Sequence, residues 1–117
     1  MESIKNVLPQ SKVFQEAERT LQFTKRWLNK GFTQINNGLL RNTEVSVGAR
    51  LLYILLMSRC FEKDFSYPGI ETLRKELGVG SNDTVYSYMK ELSDMGWMTV
   101  KRRGLGKTNL YFLEKYK

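Results

Sequence analysis

Four cations lie close together near the end of the 117-residue sequence: Lys101, Arg102, Arg103 and Lys107. Ammonium and guanidinium groups at this density bind phosphate, and each phosphate they neutralise releases counterions. A glycine-containing turn at residues 104–107 separates two β-rich runs at residues 97–100 and 110–113. This pattern predicts a β-hairpin with a basic tip. We expect the cations to contact nucleic-acid phosphates, with one able to enter the minor groove, and Thr108 and Asn109 to donate to the backbone.

A second group of side chains, which can form hydrogen bonds, lies upstream on the polar face of a predicted helix and at the N-terminus of that helix. Its members are Ser81, Asn82, Asp83, Thr84, Tyr86, Ser87 and Lys90. Such amide, carboxylate and hydroxyl groups form hydrogen bonds with base edges in a DNA major groove. Asp83 repels phosphate, so it is expected either to stabilise the helix N-terminus or to accept from cytosine, with equal weight. Tyr86 either stacks or contacts a thymine methyl, or it covers the edge of the core.

Two short amphipathic helices joined by a tight glycine turn position that polar face. In the first, apolar residues recur at helical spacing over residues 70–77, and Pro68 is expected in its first turn. Gly78 follows, where a helix usually ends in the left-handed region. Ser81 or Asn82 is expected to cap the second helix. Helix, turn and polar-faced helix predict a helix-turn-helix whose second helix enters the major groove, and the hairpin after it is a wing.

The upstream half of the chain supplies the rest of the fold. Residues 11–30 predict an amphipathic helix that serves dimerisation, packs on the domain core or orders only in an oligomer. Residues 32–35 predict a short strand that could pair with the wing as a third strand. Ser46 is expected to cap the central core helix, residues 47–61, which is apolar nearly all round. Residues 61–66 are expected to form a polar loop.

Composition argues against several functional classes. The chain has no histidine and one cysteine, Cys60, which removes the usual general base and makes a zinc site very unfavourable. No spacing singles out a catalytic constellation, so an enzyme is the least favoured class, and no cofactor or metal is expected. The longest apolar run, residues 51–57, is too short to span a bilayer. The single cysteine fits a reducing cytoplasm.

Charge is distributed unevenly along the sequence. The net charge is +7, and residues 96–117 hold six lysine or arginine residues against one acid. Residues 68–95 instead hold three cations against five acids. The hairpin therefore supplies most of the positive field, which favours double-stranded DNA as the partner. A protein–protein adaptor is the alternative, because the helix-turn-helix region itself is slightly acidic.

These residues also resemble a known group of proteins. The resemblance is carried by Phe32–Ile35, Leu39–Leu40, Ser46–Tyr53, Leu73–Ser81, Thr84–Val85, Glu91–Leu92, Gly96–Met98 and Lys101–Asn109. Over about residues 31–114 the sequence is similar to the winged-helix domain of plasmid (RepA-type) replication initiators and phage replisome organisers. The resemblance implies a three-helix core with a wing, and binding of duplex DNA at specific repeats.

The combined prediction is an α+β, mainly α fold: a winged helix-turn-helix with an extra N-terminal helix. Residues 1–30 form the helical extension and residues 31–117 the DNA-binding domain. The expected function is sequence-specific duplex binding for a plasmid, phage or conjugative element, at a replication or transfer origin or in transcriptional regulation. Expected partners besides DNA are a second copy bound through the N-terminal helix and replication or transfer proteins.

Overall fold

The computed structural model describes residues 12–21, 31–60 and 63–115. The chain divides into two units, residues 1–32 and residues 33–117. In the first unit, residues 12–21 form a helix, α1, along which every residue is exposed. The helix predicted over residues 11–30 is therefore present over residues 12–21, and its other residues lie outside the described ones. Among the described residues, no helix combines the length and hydrophobicity needed to cross a membrane.

The second unit contains helices and a small sheet. In the described residues these are α2 (Asn37–Leu40), α3 (Val47–Met57), β1 (Phe65–Ser66), α4 (Ile70–Leu77), α5 (Asn82–Asp94), β2 (Met98–Lys101) and β3 (Leu110–Leu113). The strands form one antiparallel sheet in the order β1-β3-β2. Helices α3, α4 and α5 are the predicted three-helix core, and β2 and β3 are the wing. The predicted α+β winged helix-turn-helix is confirmed.

Local signals at the helix ends are largely confirmed. Ser46 caps α3 and Ser81 caps α5, each through a side-chain oxygen that accepts a backbone N–H three residues on. Gly78 ends α4 in the left-handed region, with φ of 74°. Pro68 was predicted in the first turn of α4. This prediction was wrong, because Gly69 is the cap and α4 begins at Ile70, after Pro68. Helix α3 also ends at Met57, earlier than predicted.

The third strand of the sheet is not the predicted one. Residues 32–35 have no regular structure, and β1 pairs with β3 instead, with Phe65 opposite Phe112. These two rings pack with centroids 5.4 Å apart. The predicted polar loop over residues 61–66 therefore ends in a strand. The segment before α2 reaches the end of β3 through one side chain, since Asn36 Nδ2 donates to the Lys115 carbonyl at 3.0 Å.

Helix α3 supplies the centre of the core. Its buried face consists of Ala49, Leu52, Tyr53 and Leu56. The Tyr53 hydroxyl donates to the Glu114 carbonyl at 2.6 Å, and burial raises the pKa of Tyr53 to about 12. Trp97 packs edge-on against the Tyr53 ring, 6.0 Å between centroids. The outer face of α3 is apolar as well, yet exposed: 73% of Val47 is accessible, so the helix is central but not enclosed.

Close packing of α5 on the start of α3 fixes the second helix of the helix-turn-helix. A Cβ on Gly48 would overlap the outer end of the Tyr88 ring, so the observed packing of this ring requires glycine at position 48 unless the ring shifts. Beside it, the Ser46 hydroxyl donates to the Glu91 carboxylate at 2.8 Å, and the Ser46 backbone N–H donates to the same carboxylate. The position of α5 therefore depends on a small residue at position 48 and on the adjacent carboxylate.

Replacing Gly48 with alanine should lower the free energy of unfolding by about 1–3 kcal/mol, because the methyl group overpacks the Tyr88 contact. The sign of this change in the free energy of unfolding tests the packing, because alanine elsewhere in a helix interior is more favourable than glycine by about 1 kcal/mol. Gly80→Ala is the control, because Gly80 lacks a left-handed φ and has open space around its Cβ position. Urea denaturation measures both variants. A Gly48→Ala variant as stable as the parent would contradict this packing.

Candidate nucleic-acid interface

Helix α5 presents a polar stripe to solvent. Its buried face consists of Val85, Met89 and Leu92. Opposite this face, Asp83, Tyr86, Ser87 and Lys90 are spaced three and four residues apart and are all exposed, with Tyr86 at 51%. Four of the predicted base-reading residues therefore share one accessible face, which we call the α5 stripe. Lys90 lies 2.8 Å from Asp94, and this hydrogen bond raises the pKa of Lys90.

The other three predicted readers have partners within the protein. Ser81 is the α5 cap, and the Thr84 hydroxyl lies 3.3 Å from the Ser81 hydroxyl. Asn82 is half-buried. Hydrogen bonds from Arg74, and to a smaller extent from Asn82, lower the pKa of the Glu71 carboxyl. Ser81, Asn82 and Thr84 therefore lie at the α5 N-terminus beside the stripe, and their internal hydrogen bonds stabilise the turn.

The base of the wing is closed by a brace around Arg103. Its Nε donates to the Thr108 carbonyl at 2.7 Å and its Nη2 to the Thr108 hydroxyl at 2.9 Å. That hydroxyl donates to the Tyr67 carbonyl at 2.8 Å, and the guanidinium lies 5.4 Å from the Tyr67 ring centre. Arg103 and Thr108, both predicted to contact nucleic acid, therefore have structural partners. Sequence reasoning missed Tyr67 because its partners lie far along the chain.

The buried Tyr111 of β3 interacts with a wing residue and with a residue of α5. The side chain of Asn109 forms a hydrogen bond with Tyr111, and Tyr86 is close enough to interact electrostatically with Tyr111. Burial is the main cause of the raised pKa of Tyr111, and the Asn109 bond opposes it. Asn109, predicted to donate to a nucleic-acid backbone, is therefore half-buried and bonded internally. Helix α5 packs against β2, the first strand of the wing, so the α5 stripe and the wing belong to neighbouring elements.

The cations of this unit differ in whether an acid neutralises them. Two arginines near the helices are paired: Arg59 lies 2.6 Å from Glu76, and Arg74 lies 2.9 Å from Glu71. On the wing, Lys101, Arg102 and Lys107 are exposed. Within the described ranges these three side chains form no ion pair. The wing therefore presents a dense group of accessible positive charges, as the sequence predicted.

The described part of the chain contains no candidate metal-binding site. It contains no cluster of histidine, cysteine or acidic side chains able to hold an ion. Its free cysteine, Cys60, is buried, and burial raises the pKa of its thiol. A buried, protonated thiol is a poor nucleophile, so this cysteine serves packing.

Replacing Arg103 with alanine should loosen the wing, whereas Arg102→Ala should leave it ordered. Loss of the Arg103 hydrogen bonds should lower the free energy of opening the wing by about 1 kcal/mol, which increases the equilibrium constant for local opening about fivefold. Hydrogen exchange of the β2 and β3 amides measures the difference, and Arg102→Ala is a matched control because it removes the same charge one residue away. Equal protection in the two variants would contradict a structural role for Arg103.

Comparisons with known proteins agree with this architecture. Residues 43–98 match the family model of a helix-turn-helix domain, which covers α3, both helices of the motif and the start of β2. No curated protein sequence matches the chain. A solved "N-Terminal domain of DNA binding protein" is similar, with 22% identity, a TM-score of 0.57, and 75% of this chain and 77% of that one covered. A solved Rep protein ("Structure of Rep-DNA complex") has the same identity and TM-score over 75% and 78%. At this identity the likeness concerns the fold alone.

Proposed function

We propose that this protein binds double-stranded DNA sequence-specifically, with α5 in the major groove and the wing on phosphates or in the minor groove. The observation that carries the proposal is that helix α5, with its exposed stripe, packs against β2, the first strand of the basic wing. A recognition helix needs hydrogen-bonding side chains that face outward, and a wing needs accessible cations. Both requirements are met on neighbouring elements of this domain. The solved Rep protein of similar fold is described in complex with DNA, which supports the same function.

The α5 stripe and the wing have different chemical tasks. The wing cations attract phosphate without regard to sequence, because every phosphate carries the same charge. The α5 stripe combines a carboxylate and hydroxyls with Lys90, whose charge is offset by Asp94. Such a stripe gains little from phosphate, so its binding energy comes from base edges. Asp83 is a candidate cytosine acceptor, and Ser87 can donate to or accept from a base.

The resemblance to replication initiators supports a proposal for the biological setting. We propose that the protein serves a plasmid, phage or conjugative element in the cytoplasm, at a replication or transfer origin or as a transcriptional regulator. Residues 31–117 are the DNA-binding domain and residues 1–30 a helical extension. The protein acts by binding and has no catalytic role, and replication or transfer proteins are its further partners.

A protein–protein adaptor is the second candidate function. The acidic residues of the helix-turn-helix region favour it, because residues 68–95 carry more acids than cations. An adaptor would use the exposed Tyr86 ring and the neighbouring carboxylates to bind another protein, and its wing cations would serve solubility. Binding of DNA decides between the two.

Selection from a random duplex pool, followed by sequencing at two salt concentrations, tests the proposal. Enrichment of one motif is expected, and its location in an origin, a transfer site or a promoter would identify the process. Binding without enrichment would leave only non-specific DNA binding. Absence of binding at low salt would overturn the proposal in favour of the adaptor.

Two alanine variants should separate phosphate contacts from base contacts. Arg102→Ala should weaken binding to every duplex and reduce the slope of log K against log salt by about 1, because one phosphate contact is lost. Ser87→Ala should leave that slope unchanged and cost about 1–3 kcal/mol on the selected motif alone. Titrations of the selected and a scrambled duplex measure both effects. An unchanged slope for Arg102→Ala would mean that the wing does not touch phosphate.

We also propose that the protein dimerises through α1. The apolar residues of this helix include Phe14 and Leu21, which lie two turns apart on one stripe and are 74% and 55% exposed. A helix with an exposed apolar stripe is stabilised by burying it against a partner. A second copy suits a short DNA-binding domain, because two half-sites multiply specificity.

Replacing Phe14 with glutamate should convert the dimer to a monomer, because a charge would be buried in the contact. Val47→Glu is the matched control, since Val47 is an equally exposed apolar residue on α3 (73%). Light scattering measures the mass of both variants and of a chain lacking residues 1–30. If Val47→Glu gives the monomer and Phe14→Glu does not, the dimer forms through α3 instead.

A further inference from the structure

The tip of the wing ends in one apolar side chain. Leu105 is fully exposed, the most exposed of the large hydrophobic residues in the described part of the chain. It lies between Gly104 and Gly106, whose φ angles of 106° and 76° are in the left-handed region. The Lys107 N–H points back to the Gly104 carbonyl at 3.4 Å and closes the turn. The Leu105 side chain therefore projects from a narrow tip, because the glycines on either side of it have no side chains.

The surroundings of Leu105 do not suit an ordinary apolar contact. Every residue from Lys101 to Lys107 is exposed, and the stretch contains four cations and no acid. Below the tip, the Arg103 brace ties the hairpin to the Tyr67 carbonyl through Thr108. The tip is thus held out on an ordered base. A leucine with cations on both sides in the sequence fits a groove whose edges are negatively charged and whose floor is apolar or uncharged.

A DNA minor groove has this combination of properties. Phosphates line both of its edges, and the groove is about 6 Å wide, so a tip with glycine shoulders can enter where a bulkier one cannot. The floor differs between base pairs in one donor, because only guanine carries a 2-amino group there. Proteins insert apolar side chains into minor grooves, and narrow A·T-rich grooves attract nearby lysine and arginine.

We propose that Leu105 enters the minor groove and selects against guanine, so that the wing reads A·T-rich sequence next to the site read by α5. The proposal rests on the DNA-binding function proposed above. A leucine cannot accept a hydrogen bond from the guanine 2-amino group, so a G·C pair would lose the water that satisfies this donor. An A·T pair has no amino group in the way of the side chain.

Duplexes of alternating dA·dT, dG·dC and dI·dC test the proposal on the full chain. Inosine keeps the major-groove pattern of guanine but lacks the 2-amino group, so it isolates the minor groove. The parent protein should bind dI·dC and dA·dT about tenfold more tightly than dG·dC, the equivalent of partly burying one leucine. Leu105→Ala should reduce that ratio to near one, and Leu105→Met should retain it.

Controls separate the placement of Leu105 from DNA binding as such. Val47→Ala removes an exposed apolar side chain from α3 and should leave the ratio unchanged. Equal affinity of the parent for dG·dC and dI·dC, or an unchanged ratio in Leu105→Ala, would overturn the placement of Leu105 while DNA binding stands. If the parent binds none of the three duplexes at low salt, both the inference and the proposed function fail.

Discussion

The packing of Tyr88 on Gly48 is the constraint on which the exposed surface of the domain depends. It lets α5 approach the start of α3, where Glu91 bonds Ser46 through both of its carboxylate oxygens. Together these contacts set the rotation of α5 about its own axis. With Val85, Met89 and Leu92 on the buried face of α5, the side chains of Asp83, Tyr86 and Ser87 are exposed. A bulkier residue at position 48 would move the α5 stripe relative to the wing without touching either one.

Ion pairing inside the domain decides which charges a partner meets. Arg59 and Arg74 are occupied by glutamates, and these pairs lower the pKa of Glu71 and Glu76. Exposed pairs of this kind add little stability, so their effect is mainly to neutralise positive charge on the helices. The wing keeps its accessible cations. In the proposed DNA complex, attraction and discrimination would fall to different elements, because the basic wing would be attracted to any DNA while the weakly charged stripe would gain energy only from matching bases.

Sequence signals predicted the features that are local and missed those that join distant segments. Gly78 and Ser81 could be assigned because a helix end is determined by the few residues around it. The strand β1 could not, since two residues show no alternation, and its place depends on β3 more than forty residues away. The same limit applies to the predicted site. Exposure of the α5 stripe follows from helical periodicity, but the internal partners of Asn82, Arg103 and Asn109 depend on packing that no local pattern records.

Arg103 shows why a cation near a binding surface need not bind the ligand directly. Its guanidinium has five donors in a fixed plane, and two of them are satisfied by Thr108. Freeing it for a phosphate would release the hairpin base, and the loss of order there would offset the new phosphate interaction. Retained in the brace, Arg103 orders the hairpin base, so in the proposed DNA complex the exposed Lys101, Arg102 and Lys107 would meet phosphate at a lower entropic cost. In the proposed complex, the braced base would fix where the tip points, and the glycines on either side of Leu105 would determine how narrow a groove the tip can enter.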